Sequence, residues 1–196
     1  MMWVHPRQSM RQILETKVNR GLYCLSWIYG FQFSLRLCQE LSLGAYLNAW
    51  LIVAIAAIAA LPLGWIAFNI SAFVFNFTGK LIKGKGDHKQ IRAAVAWGNV
   101  PIIISCLIWI VMTAVFGNYL FFEGFYEVPF SGGEGILLTV NFAVMLIFGI
   151  WATIIFLHAL GQAQGFSFWM ALLNLVLASI VFVVVGWGIS AIINLF

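Results

Sequence analysis

The sequence predicts an all-α fold, a polytopic membrane helix bundle, and three observations carry that expectation. Hydrophobic residues make up 63% of the chain and charged residues 8%, against about 45–50% and about 25% in ordinary soluble domains. The apolar residues gather in runs that match the roughly 20 mostly apolar positions a helix needs to cross a bilayer. Nine of the ten Lys and Arg lie in residues 1–20 or 79–101, beside those runs. A soluble fold of this length could not bury so much apolar surface. The clustered charge follows the positive-inside rule, so nucleic acid is not an expected partner.

Residues 1–20 read as a cytoplasmic interfacial segment. Pro6 can open a helix, and Met10, Ile13, Leu14 and Val18 recur at three- and four-residue spacing, with Arg7, Arg11, Lys17 and Arg20 on the polar side. Such a helix lies on the membrane surface rather than crossing it. Residues 21–196 read as a five-helix membrane domain. The first span, 21–37, is the most polar, carrying Ser26, Gln32, Ser34 and Arg36, and is expected to be shielded by other helices. Arg36 can snorkel to the interface, with Glu40 four residues on along the same face.

The second span, 47–78, would reach about 48 Å as a helix. Pro62 and Gly64 near its middle imply a kink or a strong tilt. The third, 100–122, follows the start signal of Asn99 and Pro101. The fourth covers 135–160, and the fifth covers 168–195 with Ser167 as its cap. Five spans put the N-terminus and the 79–101 loop on one side, both basic. The connection over 118–134 lies on the other, with Glu123, Glu127 and Glu134 and no Lys or Arg. The expected location is the inner membrane, N-terminus cytoplasmic and C-terminus outside.

Between Gly79 and Gly86 the chain nearly spells a phosphate-binding loop. Gly79, Gly84 and Lys85 fit, but Gly86 stands where Ser or Thr must hold magnesium, and a membrane helix precedes instead of a strand. The expectation is a glycine-rich turn, then a short amphipathic helix from Asp87 to Trp97, its lysines facing headgroups. Asn69-Ile70-Ser71 and Asn76-Phe77-Thr78 match the glycosylation sequon inside a span, where the amides are better suited to bonds between helices. Cys24, Cys38 and Cys106 are odd in number and show no metal spacing. No HExxH, no GxSxG and no paired intramembrane carboxylates occur, so no enzyme, cofactor or metal is expected. A Ser-His pair of His158 with Ser105 or Ser179 is the one hydrolytic arrangement open to the chain. Gly161, Gly165, Gly186, Gly188 and the alanines from Ala54 to Ala60 allow close helix packing within one chain, or a homo-oligomer.

Gly84-Lys85-Gly86-Asp87-His88-Lys89-Gln90, then Arg92-Ala93-Ala94 with Ala96-Trp97, then Pro101, resemble the glycine-rich loop, short helix and proline of the Yip1-domain family. Trp3, Pro6, Arg7, Arg11, Ile13 and Leu14 are similar to the opening of its bacterial members. The resemblance extends over essentially the whole chain and implies a five-span fold. Eukaryotic relatives sit in Golgi and ER membranes, engage Rab-type GTPases and act in vesicle traffic. The long cytosolic N-terminal region and the DLYGP-like motif of those relatives are missing here. The resemblance supplies no catalytic residues.

Two sets of candidate residues follow. Arg7, Arg11, Lys80, Lys83, Lys85, Lys89 and Arg92 form a basic cytoplasmic face suited to anionic membrane lipid or to a protein partner of unknown identity. Arg36, Asn69, Asn76, Asn141, His158 and Asn174 are the intramembrane polar set. The expected function is a non-enzymatic membrane-organising, trafficking-like or partner- and lipid-binding scaffold. The alternative is a small transporter or channel subunit, favoured if the amides converge on a hydrated cavity.

Overall fold

The computed structural model describes residues 6–16, 18–19 and 21–193. Trp3, Lys17, Arg20 and the end of the fifth expected span lie outside the described residues. Among the described residues seven α-helices follow in order: α1 Pro6–Thr16, α2 Leu22–Glu40, α3 Ala49–Leu81, α4 His88–Gly98, α5 Ile102–Phe116, α6 Gly132–Gln164 and α7 Phe168–Ile193. Short 3-10 turns at Leu43–Ala45, Gly117–Phe121 and Phe125–Glu127 join some of them, and no strand occurs among the described residues.

Against the five spans expected, four described segments are long and apolar enough to cross a membrane: Ala49–Leu81, Ile103–Phe121, Gly132–Gln164 and Phe168–Gly188. This is a membrane protein. α2 is not among the four, because Ser26, Gln32, Ser34, Arg36, Gln39 and Glu40 dilute its apolar run. α3 continues through Pro62 as one helix of 33 residues. α6 runs on to Gln164, past the expected end at 160. It stops where Gly165 takes a left-handed φ of 72° and the Phe166 N–H closes on the Gly161 carbonyl at 2.7 Å. That is the six-to-one bond of a glycine-terminated helix. Ser167 then caps α7, its Oγ accepting the Met170 N–H at 3.3 Å.

The helices fall into two compact units, which divide α3 after Phe68 and α6 after Ile154. One unit holds Gly21–Phe68 and Asn99–Ile154. Here α2 and α3 cross in backbone contact: a Cβ on Gly30 would collide with the Ala60 carbonyl, and one on Gly64 with the Ser26 carbonyl. At that crossing Trp27 Nε1 donates to the Ala57 carbonyl at 3.0 Å and Ser26 Oγ to Leu61 at 3.3 Å. Gln39 Nε2 donates to the Leu120 carbonyl at 2.8 Å. Ser26, Trp27 and Gln39 of α2 are thus met by protein, as shielding requires, whereas Gln32 Oε1 is buried without a partner and Arg36 and Glu40 are exposed. Phe31, Leu35, Ile52, Trp109, Met112 and Phe121 pack the core beside them.

The other unit holds Asn69–Gly98, Ile155–Phe196 and residues 1–20 in their described parts. The apolar side of α1, expected on the bilayer, meets protein at its centre. Met10 is fully buried against Ala93 and Ala94 of α4 and Ile155, Ala159 and Ala163 of α6. The alanines explain this, since small side chains on α4 and α6 leave a socket that one long methionine fills. Arg7 Nη2 holds the same helix by donating to the Phe166 carbonyl at 2.9 Å.

Candidate functional site

The site is built from the C-terminus of α3 upward. Gly84 N–H donates to the Gly79 carbonyl at 2.8 Å and Lys83 N–H to Lys80 at 3.1 Å. These are the paired bonds of a Schellman stop. Its left-handed position, usually glycine, is occupied by Lys83 at φ 66°. The chain then turns at Gly86 into α4. Gln90 reaches back, its Oε1 accepting the Asp87 N–H at 3.2 Å, one half of a capping box.

The glycines cradle a side chain, not a phosphate. A Cβ on Gly79 or on Gly84 would strike the Gln164 amide. Gln164 Nε2 donates to the Phe75 carbonyl at 2.9 Å, and the Gln164 backbone carbonyl accepts the Lys85 N–H at 3.1 Å. Asn174 Nδ2 also donates to Phe75, at 3.3 Å. Thr78 Oγ1 lies 2.6 Å from Asn174 Oδ1 and 2.9 Å from the Val74 carbonyl, two acceptors for one hydroxyl hydrogen. Thr78, Gln164 and Asn174 are all at most 2% exposed. This buried polar node pins the basic loop to the helices.

The candidate cations divide into two kinds. Lys80, Lys83, Lys85 and Lys89 are exposed and make no ion pair among the described residues. The arginines are engaged. Arg7 holds the Phe166 carbonyl, and Arg11 pairs with Glu15 at 2.8 Å, a bond that raises its pKa further. Arg92 donates from Nη1 to Asn69 Oδ1 at 3.1 Å and from Nη2 to Asn19 Oδ1 at 3.2 Å, and His88 Nε2 stands 3.4 Å from the same Asn69 oxygen. Gln164, the centre of the node, was not among the residues singled out in the sequence. Its one signal there is a polar residue closing an apolar helix beside Gly165, a signal Gln162 shares.

A family model, the Yip1 domain, matches residues 1–190. The chain belongs to the Yip1-domain family. No curated protein matches it, and no solved structure does.

In this Yip1-domain chain the intramembrane polar candidates each have their own surroundings. Asn69 binds Arg92, and Asn174 belongs to the node with Thr78. Asn76 is half-buried, and its Oδ1 makes no hydrogen bond. Asn141 belongs to the other compact unit. Its Oδ1 is buried without a partner beside a void of about 10 Å³ lined by Trp109, Met112, Tyr126 and Met145. Arg36 is exposed and pairs with Glu40 at 3.5 Å. The His158 ring packs on Phe168 at 5.2 Å between centroids. Of the candidate serines, Ser105 belongs to the other compact unit and donates to Met145 Sδ at 3.3 Å, and Ser179 Oγ donates to the Leu175 carbonyl at 2.9 Å.

Proposed function

We propose that this Yip1-domain chain is a non-enzymatic, five-span protein of the inner membrane that organises the bilayer or its protein partners, in a trafficking-like role. Its contact with anionic lipid headgroups is the lysine set Lys80, Lys83, Lys85 and Lys89. One observation carries the reading: four exposed lysines without ion pairs follow one another along the last turn of α3 (Lys80), the connecting loop (Lys83, Lys85) and the first turn of α4 (Lys89), and Gln164 holds that loop through the Lys85 N–H. A preorganised cluster loses less freedom on binding than a floppy one. Each lysine near an anionic surface contributes roughly 1 kcal/mol, so four together would enrich acidic lipid strongly.

The test is the full chain in nanodiscs made from mixed phosphatidylcholine and phosphatidylglycerol, with the retained lipid quantified. Wild type should enrich the anionic lipid, and the fourfold Lys→Gln variant should lose that enrichment, as should wild type in high salt. Equal enrichment in both proteins would sink the lipid reading.

The five-span count takes α2 as a membrane crossing, supported by the internal partners of Ser26, Trp27 and Gln39. The transporter alternative has weaker support. Asn69 and Asn174 are engaged, and the void beside Asn141 is about the size of a single water. Ion or solute flux into liposomes that wild type supports and Asn141→Leu abolishes would reverse this preference.

A further inference from the structure

A groove of about 850 Å³ opens where the span Ile103–Phe121 ends and α6 begins. It lies wholly within one compact unit, and its walls include Ala114, Phe116, Tyr119, Phe122 and Phe130. The volume falls in the range of small-molecule sites, roughly 300–1,000 Å³. Glu134 is the one charged residue in the lining. Across Gly124, which also lines the groove, the Glu127 carboxylate comes within 3.7 Å of where a Cβ would stand.

Gly124 and Phe125 are shared with a second, polar recess of about 180 Å³ that holds Glu40, Glu123, Glu127 and Arg36. Arg36 is paired with Glu40. Glu123, Glu127 and Glu134 are exposed and make no ion pair among the described residues. An apolar groove at a bilayer-crossing segment, bordered by carboxylates with no partner cation, is complementary to an amphiphile with a cationic head.

The geometry points to a site for one membrane phospholipid bearing a primary-amine headgroup, of the ethanolamine type. Its acyl chain lies in the aromatic groove, and its ammonium is held by Glu134 and Glu127. A primary ammonium offers three N–H donors that a carboxylate can accept, whereas a trimethylated one offers none. The source is the bilayer itself, because one wall of the groove, from Ala114 to Tyr119, belongs to a segment apolar enough to lie in it. This site is independent of the lysine loop, and either can fail without the other.

The full chain is reconstituted in phosphatidylcholine vesicles carrying a minor fraction of a lipid with a photoactivatable acyl chain. The headgroup of that lipid is ethanolamine, choline or glycerol. Crosslinks from the ethanolamine lipid should concentrate in residues 114–130, about tenfold above the choline lipid, as expected for a charge-assisted hydrogen bond. Glu127→Gln with Glu134→Gln should bring the headgroups to parity while chain crosslinking persists. Ala114→Trp should remove the crosslinks, and Ala114 is exposed, so the larger side chain does not burden the core. Crosslinks spread evenly over the exposed faces of α6 and α7, or a preference for choline or glycerol, would overturn the site. So would an ethanolamine preference that survives the double substitution.

Discussion

Gln164 donates its side-chain amide to the backbone carbonyl of Phe75 across 2.9 Å, joining the end of α6 to α3 over 89 positions of sequence. Gly79 and Gly84 leave room for that amide, and Lys85 closes over it through the Gln164 carbonyl. The basic loop is therefore a built surface.

Glycine and glutamine should be coupled. Gly84→Ala forces a methyl group into the Gln164 amide and should cost about 1–3 kcal/mol, the usual range for overpacking. In a Gln164→Ala background the same change should cost clearly less, with a coupling on the order of 1 kcal/mol or more. Thermal melts of the four proteins in one detergent read this directly. Additive losses would mean that Gln164 does not fill the cradle.

Lys83 separates fold from function. Its left-handed backbone costs roughly 1–2 kcal/mol for a residue with a Cβ. Lys83→Gly should raise the melting temperature and lower anionic-lipid enrichment together, whereas Lys83→Ala should lower enrichment with no stability gain. Melting curves and lipid quantification on the same samples make the comparison.

Arg92 should behave unlike the lysines. It ties Asn69 and Asn19 through charged hydrogen bonds, which contribute about 1.5–3 kcal/mol each in favourable settings. Arg92→Gln should therefore destabilise the protein more than Lys89→Gln does. Lys89→Gln should affect lipid enrichment more per unit of lost stability.

The α2–α3 crossing should tolerate no Cβ. Gly30→Ala and Gly64→Ala each meet a backbone carbonyl that cannot rotate away, and each should cost upwards of about 2 kcal/mol. Gly149→Ala, with open space around it, should be neutral or slightly stabilising. Expression level and melting temperature distinguish the three.

Whether α2 crosses the bilayer is decided by the two chain ends. With α2 counted, cysteine labelling by an impermeant reagent should find the N-terminal segment and the C-terminus on opposite faces. Labelling of both ends from one side would reduce the count to four spans.

The helices could be read from the chain because their causes are local. Long apolar runs define α3, α6 and α7, Ser167 starts α7, and the basic clusters beside those runs predict which face is cytoplasmic. The helix α6 runs four residues beyond the span expected over 135–160, because Gly161 stays helical and only Gly165 takes the left-handed turn, a difference the sequence does not show. Lysines and arginines of one patch also looked alike. Their partners, Phe166, Asn69 and Asn19, lie 159, 23 and 73 positions away from the arginines that bind them. For the same reason the sequence showed Asn174 as a polar residue in a span, but not Gln164 beside it. Hydrophobicity acts on each residue through the solvent, so one residue at a time reveals it. A buried hydrogen bond exists only when packing brings two distant groups within about 3 Å.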